Sequence, residues 1–234
     1  MATNFNDRSF APQQTHWIPL ADLMTGLMMV FLLVAVAFMV KVEAASQRIK
    51  QVAILYEQSR TELYNDLQKE FAKDLPKWGA ELHRNLTIRF KEPDVLFSTG
   101  SSNIKPGFKI ILDDFFPRYI RILESKKYRN LIKEIRIEGY TSSVWRDLPP
   151  DQAYFENMRL SQDRTRSTLQ YVLSLAAVQS QLPWLRAHIT AIGYSSSKPI
   201  ENGGKEDYAR SQRVEFRVRT DAEARIARII EVGK

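Results

Sequence analysis

The sequence contains no cysteine among its 234 residues, which excludes disulfides, thiolate metal sites and cysteine nucleophiles. This absence is compatible with the cytosol and with an oxidising compartment. Histidine is also scarce, because only His16, His83 and His188 occur, and no HExxH, P-loop or GxGxxG pattern is found. We therefore expect neither an enzyme nor a bound metal or other cofactor.

Positive charge predominates, since 34 Lys and Arg residues against 27 Asp and Glu residues give a net charge of +7. A net charge attracts nucleic acid, anionic lipid or an acidic polymer without defining a site for any of them. The sequence lacks an aromatic and basic platform or a recognition helix, so we expect no nucleic-acid partner. The length suits one domain of about 100 to 150 residues and a long additional segment.

The longest apolar run covers residues 20–40, and its polar interruptions are Asp22, Thr25 and Gly26. As a helix it is about 31 Å long, the thickness of the hydrocarbon core of a bilayer. It therefore predicts a transmembrane helix after an N-terminal tail at 1–19. A secretory signal peptide is the alternative, but the tail lacks a positive region and the apolar run is too long for one.

An acid inside a membrane span is costly and is generally kept for an ion pathway, a partner or a counter-ion. Asp22, Gly26, Met29 and Leu33 share one helical face with Thr25 beside them. A glycine on that face allows close approach of another helix, so the face predicts an interface with protein. The alternative is that the acid, near the start of the span, extends into the membrane interface.

The segment WIPLADLMTGLMMVF resembles the membrane segment of MotB-type stator subunits. In that family the acid carries the ion of a rotary motor. The resemblance implies that Asp22 and Thr25 carry H⁺ or Na⁺ and that Gly26 is a helix-packing position. It also implies a homodimer inside a ring of a multi-span partner like MotA or ZorA. Among these stators the segment most resembles the ZorB subunit of Zorya anti-phage defence systems.

The linker predicted at 41–84 begins with a helix that continues out of the membrane from Lys41 to about Asp74, because neither glycine nor proline occurs there, and Pro76 and Gly79 end it. The resemblance implies a periplasmic linker and plug. Apolar residues at helical spacing predict a dimer seam, and an amphipathic helix lying on the membrane is the alternative. The seam residues are Ile49, Val52, Ala53, Tyr56, Leu63, Leu67 and Phe71.

Residues 85–234 alternate short β-branched runs with longer helical ones. Helices are predicted at about 106–123 and 153–177, a final pair of strands follows, and AEARIARIIE predicts a closing helix. This order indicates an α+β domain, a βαβαββ sandwich. The predicted strands are NLTIRF, DVLFSTG, EIRIEGY, HITAIGY and RVEFRVR.

Four segments resemble, in order and spacing, the OmpA-like peptidoglycan-binding domain. They are DVLFSTGSSNIKPG, IEGYTSS, NMRLSQDRTRSTLQYV, and GYSSSKPIENG followed by RSQRVEFRV. The resemblance implies that Arg164 binds a stem-peptide carboxylate and that Tyr140, Thr141, Asn157 and Leu160 form the pocket. A guanidinium suits this role because it pairs with carboxylates through two hydrogen bonds. Helical spacing alone would make Arg164 a solvated arginine.

One position departs from the family pattern. Ser142 stands where the pattern has the acid that meets the ammonium group of diaminopimelate. Asp147 or Asp151 could supply a displaced carboxylate, although a proline-rich turn also explains an aspartate there. Arg210 and Arg213 are interpreted as partners of the sheet edge instead of ligand contacts.

The hypothesis is therefore a single-pass inner-membrane stator subunit with a cytoplasmic N-terminus and a periplasmic domain that binds peptidoglycan. A defence motor of the Zorya type is favoured over a flagellar stator on the resemblance at the span. A passive membrane-tethered wall anchor is the alternative from a different class.

Overall fold

A computed structural model describes residues 17–91 and 96–220 of the chain. These residues form two compact units that divide between Gln51 and Val52. The elements are α1 (Trp17–Phe71), β1 (Ala80–His83), β2 (Thr87–Phe90), α2 (Pro106–Leu123), β3 (Ile132–Tyr140), α3 (Pro150–Ser174), a 3-10 helix (Ala176–Gln181), α4 (Leu182–His188), β4 (Ile189–Gly193), β5 (Glu201–Asn202), β6 (Lys205–Glu206), α5 (Tyr208–Ser211) and β7 (Arg213–Thr220).

The first unit contains the N-terminal part of α1. Pro19–Gln51 is the one segment among the described residues that is long and apolar enough to cross a membrane. The predicted span at 20–40 falls inside it, and every side chain from 21 to 40 is exposed within this chain. Such a continuous apolar surface is stable in lipid or against another protein, but not in water.

The second unit is built on a five-stranded sheet with the order β1-β2-β7-β3-β4. β3 and β4 are parallel, whereas β1–β2, β2–β7 and β7–β3 are antiparallel. Buried apolar residues of α1, α2 and α3 form one core with the apolar face of the sheet. The α+β class expected from the sequence is confirmed.

Phe115 of α2 lies at the centre of this core. The ring centroids of Phe71, Phe90, Tyr119 and Phe216 lie 5.0 to 5.4 Å from its own. Tilted, edge-on and stacked aromatic pairs each contribute about 0.5 to 1.5 kcal/mol beyond the burial of their surface. The cluster therefore joins α1, β2, α2 and β7, which are distant in sequence.

The C-terminal end of α1 belongs to the domain core. Leu63, Leu67 and Phe71 are at most 1% exposed within the single chain, so the prediction of a dimer seam is wrong for these three residues. The apolar residues do lie on one face of a helix, as predicted. A period of 3.6 residues, however, does not distinguish burial inside a chain from burial between chains. The side chains of Val52, Ala53 and Tyr56 lie outside the described residues.

Other elements match the expectations to different degrees. α2 has the predicted bounds, and the last two predicted strands are present as β4 and β7. They do not pair with each other, because β7 lies between β2 and β3 and β4 pairs with β3. In DVLFSTG, Phe97 forms an isolated bridge with Ile104 instead of a strand. Residues 92–95 of that region and the predicted closing helix at 222–231 lie outside the described residues.

Leu67 is buried and Ile54 is exposed on the same helix, α1, so truncation of the two side chains should affect stability differently. Leu67→Ala should lower the free energy of unfolding by about 2 to 5 kcal/mol, because it leaves a cavity in the core. Ile54→Ala is the control, since Ile54 is 56% exposed. Denaturant unfolding of the detergent-solubilised protein, followed by tryptophan fluorescence, measures both. Equal effects of the two variants would contradict the assignment of Leu67 to the core.

Candidate functional site

The site begins where α3 packs against the ends of β3 and β4. A Cβ atom on Gly139 would lie 2.6 Å from Thr165 Cγ2 and 2.9 Å from the Ser161 carbonyl oxygen. A Cβ atom on Gly193 would lie 2.5 Å from the Gln162 backbone nitrogen. These distances are shorter than van der Waals contact, so only glycine permits this closeness of helix and sheet.

Arg164 and Tyr140 meet in a small cavity at this junction. Its volume of about 10 Å³ gives room for about one water molecule. The structure thus brings together two of the residues expected from the sequence. The lining residues are Leu96, Phe97, Gly139, Tyr140, Arg164, Gln212, Arg213 and Val214.

The Arg164 side chain is held by neutral groups. Arg164 is 6% exposed. Its Nε donates a hydrogen bond to the Ser101 carbonyl at 2.9 Å, and its Nη2 donates one to the Ser98 carbonyl at 3.4 Å. The guanidinium carbon lies 5.0 Å from the centroid of the Phe97 ring. Burial lowers the pKa of Arg164 to about 10, so the group is still charged at neutral pH.

Arg164 forms no ion pair with a carboxylate among the residues that the structure describes. A guanidinium has five N–H donors, and the two contacts above leave several of them for a ligand. A buried cation normally requires a compensating anion. The arrangement therefore favours binding of an anionic group.

Tyr140 is fixed on three sides. Its hydroxyl donates to Glu138 Oε2 at 2.8 Å, and its ring stacks on Tyr194 with centroids 5.0 Å apart. The Arg213 guanidinium carbon lies 3.8 Å from the ring centroid. Burial, followed by the charges of Glu215 and Glu138, raises the pKa of Tyr140 above its usual value. With its hydroxyl already bonded, Tyr140 contributes a rigid aromatic wall to the cavity.

The other expected pocket residues are buried in the same region. Thr141 donates its backbone N–H to the Ser195 carbonyl at 3.0 Å, and Asn157 Nδ2 donates to the Val144 carbonyl at 3.5 Å. Leu160 is 8% exposed on α3. Asn157 therefore holds the loop after β3, and the structure does not place Thr141, Asn157 or Leu160 among the cavity-lining residues.

A carboxylate reaches this loop from a part of the chain that sequence reasoning missed. Glu206 Oε1 accepts a hydrogen bond from the Ser143 backbone N–H at 3.0 Å, next to the buried Ser142. Asp147 and Asp151, the two acids considered from the sequence, are both exposed. The Gly-Gly pair at 203–204 was the available sequence signal, because Gly-Gly favours a two-residue hairpin turn. In the structure both glycines have a positive φ, and β5 and β6 flank them.

The residues expected to carry ions lie on α1 in the first unit. Asp22, Thr25 and Gly26 are exposed within this chain, and Thr25 Oγ1 donates to the Ala21 carbonyl at 2.7 Å inside the helix. A Cβ atom on Gly26 would meet nothing within 4 Å.

Comparison with known proteins identifies the family. The chain is 49% identical over 219 residues to the Zorya protein ZorB of the Crooks strain of Escherichia coli, covering 92% of each chain. The chain belongs to the ZorB family.

A second Zorya protein ZorB, from an ETEC strain of Escherichia coli, is 28% identical over 221 residues, covering 90% of this chain and 82% of that protein. Among solved structures, a MotB-like protein from Desulfovibrio vulgaris is similar, with 22% identity, a TM-score of 0.49 and coverage of 71% of this chain and 94% of that one. No protein-family model matches the chain.

Behind the cavity of this ZorB-family chain, charged residues form a network on the sheet face opposite the aromatic core. Glu138 and Glu215 are direct neighbours across β3 and β7, and both are at most 1% exposed. Arg213 Nε and Arg89 Nε each lie 2.7 Å from Glu215 Oε1, and Arg217 Nε lies 3.4 Å from Glu138 Oε2. The arginines compensate two carboxylates that would otherwise repel each other.

This network assigns Arg213 a structural role. Burial opposes ionisation of Glu215, but the Arg213 and Arg89 guanidinium groups overcome this effect and hold the pKa of Glu215 below its usual value. The interpretation of Arg213 as a partner of the sheet, instead of a ligand contact, agrees with its contacts. Arg210 is exposed on α5.

The network predicts a dependence of stability on pH. Because the pKa of Glu215 is lower in the folded than in the unfolded protein, its stabilisation is complete above about 4.5 and is lost as the pH falls through the lower folded value. Glu215→Gln should cost about 3 kcal/mol at pH 7, since it leaves two arginines without their buried partner. The difference in unfolding free energy between Glu215→Gln and the original protein should be smaller at pH 3.5 than at pH 7.

Denaturant unfolding at both pH values measures this effect, with Glu201→Gln as the control because Glu201 is exposed on β5. The control should match the original protein at both values. A difference for Glu215→Gln that stays constant or widens in acid would contradict the assigned pKa direction.

Proposed function

We propose that this ZorB-family chain is the peptidoglycan-anchored, ion-conducting stator subunit of a membrane rotary motor in Zorya-type anti-phage defence. It acts without catalysis and needs no resident cofactor. The N-terminus is cytoplasmic, α1 crosses the inner membrane once, and the α+β domain lies in the periplasm. Family membership and the apolar helix support this assignment.

The observation that carries the wall-binding part is the buried Arg164 guanidinium with free N–H donors and no ion-pair partner among the described residues. Peptidoglycan stem peptides present free carboxylates, which a guanidinium binds through two parallel hydrogen bonds. The rigid Tyr140 ring beside it limits the directions from which such a group can approach. Anchoring to the wall gives a motor a fixed reference against which torque can act.

The ion-conducting part rests on Asp22, with Thr25 and Gly26 on adjoining positions of α1. Binding of H⁺ or Na⁺ neutralises the carboxylate and changes how this helix surface fits its neighbour. Each charge that crosses the membrane supplies about 2.3 kcal/mol per 100 mV. The neighbours are a second copy of the chain and a multi-span partner resembling MotA or ZorA, which forms a ring around the dimer.

Neutralising Asp22 separates the motor from a passive anchor. Asp22→Asn keeps the shape of the side chain but cannot carry an ion, so we expect loss of phage protection at normal protein levels in the membrane. Glu43→Gln is the control, because Glu43 lies on the same helix beyond the apolar run. Plaque counts on cells carrying the neighbouring operon, together with membrane immunoblots, measure the outcome. Full protection by Asp22→Asn would support the passive wall anchor instead.

Removing the guanidinium tests the wall-binding part independently. Arg164→Ala should weaken binding of the detergent-solubilised protein to purified sacculi at least about tenfold, because charge-assisted hydrogen bonds contribute about 1.5 to 3 kcal/mol. Arg159→Ala is the control, since Arg159 is on the same helix, 64% exposed and paired with Glu156. Circular dichroism confirms that both variants are folded. If Arg164→Ala and Arg159→Ala bind sacculi equally well, Arg164 is not part of the binding site.

A further inference from the structure

A groove of about 320 Å³ lies between the loop before α2 and the C-terminal half of α3. Ligand-binding pockets of proteins have volumes of about 300 to 1,000 Å³. Among the described residues, this groove shares no lining side chain with the small cavity at Arg164. It is therefore a separate candidate site on the same domain.

The groove is lined mainly by neutral polar side chains, and four of them have no bonding partner. A hydroxyl and an amide can each donate and accept hydrogen bonds. Ile104 adds an apolar surface, and no carboxylate belongs to the described lining. A sugar with an N-acetyl group has the matching hydroxyls, amide and methyl group. The polar side chains that bond to no other group in the described part of the chain are Ser102, Asn103, Ser167 and Gln170.

Tyr171 forms a wall of the groove that is ordered before a ligand binds. Its hydroxyl donates to Asp113 Oδ1 at 2.7 Å, and Lys109 Nζ lies 5.4 Å from the centroid of its ring. Lys109 is the one charged residue in the described lining, and the ring already attracts its ammonium group. The groove therefore suits a neutral ligand, and the ordered wall reduces the entropy lost on binding.

The groove adjoins the position of Arg164 on both the loop and the helix. On the loop, the Ser101 carbonyl accepts the hydrogen bond from Arg164 Nε, and Ser102 follows as a lining residue of the groove. On α3, Ser167 and Tyr171 follow Arg164 by three and seven residues, so they lie on the same side of the helix. With a rise of 1.5 Å per residue, they lie about 4.5 and 10 Å beyond Arg164 along the helix axis.

We propose that this groove binds an N-acetylated sugar of the glycan strand while Arg164 binds a carboxylate of the stem peptide attached to that sugar. This inference rests on the proposed wall binding. Three extended residues of a stem peptide span at most roughly 10 Å, which matches the distance from Arg164 to the groove along α3. One segment of the wall polymer can thus occupy both sites.

The test compares a stem tripeptide with the same tripeptide attached to its disaccharide, using the full-length protein in a detergent without a sugar head group. The original protein should bind the disaccharide tripeptide about tenfold more tightly, measured by calorimetry, because the sugar adds hydrogen bonds. Asn103→Ala combined with Gln170→Ala should remove this advantage and leave binding of the free tripeptide unchanged. Both residues are exposed, and the Asn103 backbone N–H keeps its bond to Ser101 Oγ.

Asn202→Ala combined with Gln152→Ala is the matched control. It removes the same two types of side chain from exposed positions outside the groove, on β5 and in the first turn of α3. This control should keep the tenfold advantage of the disaccharide tripeptide. Arg164→Ala should weaken binding of both ligands, since the carboxylate is common to them.

The results separate the sugar contact from the wall-binding site. Equal binding of the two ligands by the original protein would overturn the sugar contact, while wall binding through the stem peptide would hold. An advantage of the disaccharide that persists in the groove variant would assign the sugar to another surface and also overturn the proposal. If the original protein binds neither ligand nor sacculi, or if Arg164→Ala changes neither affinity, the proposed wall-binding site is wrong, and the inference that rests on it is wrong as well.

Discussion

The close packing of α3 on Gly139 and Gly193 is the constraint on which the site depends. Ser161 and Thr165 contact the backbone near Gly139, and Arg164 lies three residues after Ser161, on the adjoining part of the same helical surface. Any side chain at the glycines would push the helix outward and withdraw the guanidinium from the cavity. The two glycines thus allow the close packing of α3 that places the Arg164 guanidinium in the cavity.

The sheet divides its faces between two kinds of stabilisation, and the site lies at their common edge. One face is an aromatic core around Phe115. The other holds Glu138 and Glu215 among arginines, and this network fixes Tyr140 through its hydroxyl and through the Arg213 guanidinium above its ring. A wall that is already ordered loses little conformational entropy when a ligand binds. The buried charges therefore order the site, and removal of one partner would also destabilise the fold.

Local sequence patterns predicted most helices and strands, but they could not predict which residues distant in sequence contact each other. The alternation in RVEFRVR predicts a strand, but its polar side chains suggest a solvated face, and only the fold shows that Glu215 is buried by pairing with Arg89 from another strand. The spacing of Leu63, Leu67 and Phe71 predicts an apolar surface without naming what covers it. Arg164 was found through a motif, because helical periodicity alone assigns it to solvent. Glu206 was missed because its contact with Ser143 joins segments 63 residues apart.

The small size of the cavity determines what the proposed binding of a carboxylate requires. A buried guanidinium must be solvated by some group, and here the carbonyls of Ser98 and Ser101 supply that solvation. A carboxylate that enters replaces or supplements these neutral acceptors with a charged one, and charge-assisted hydrogen bonds are roughly twice as strong. The affinity is then the difference between the two sets of bonds, less the cost of enlarging a space of about 10 Å³. Under the proposed wall binding, such a difference gives a reversible contact at each site.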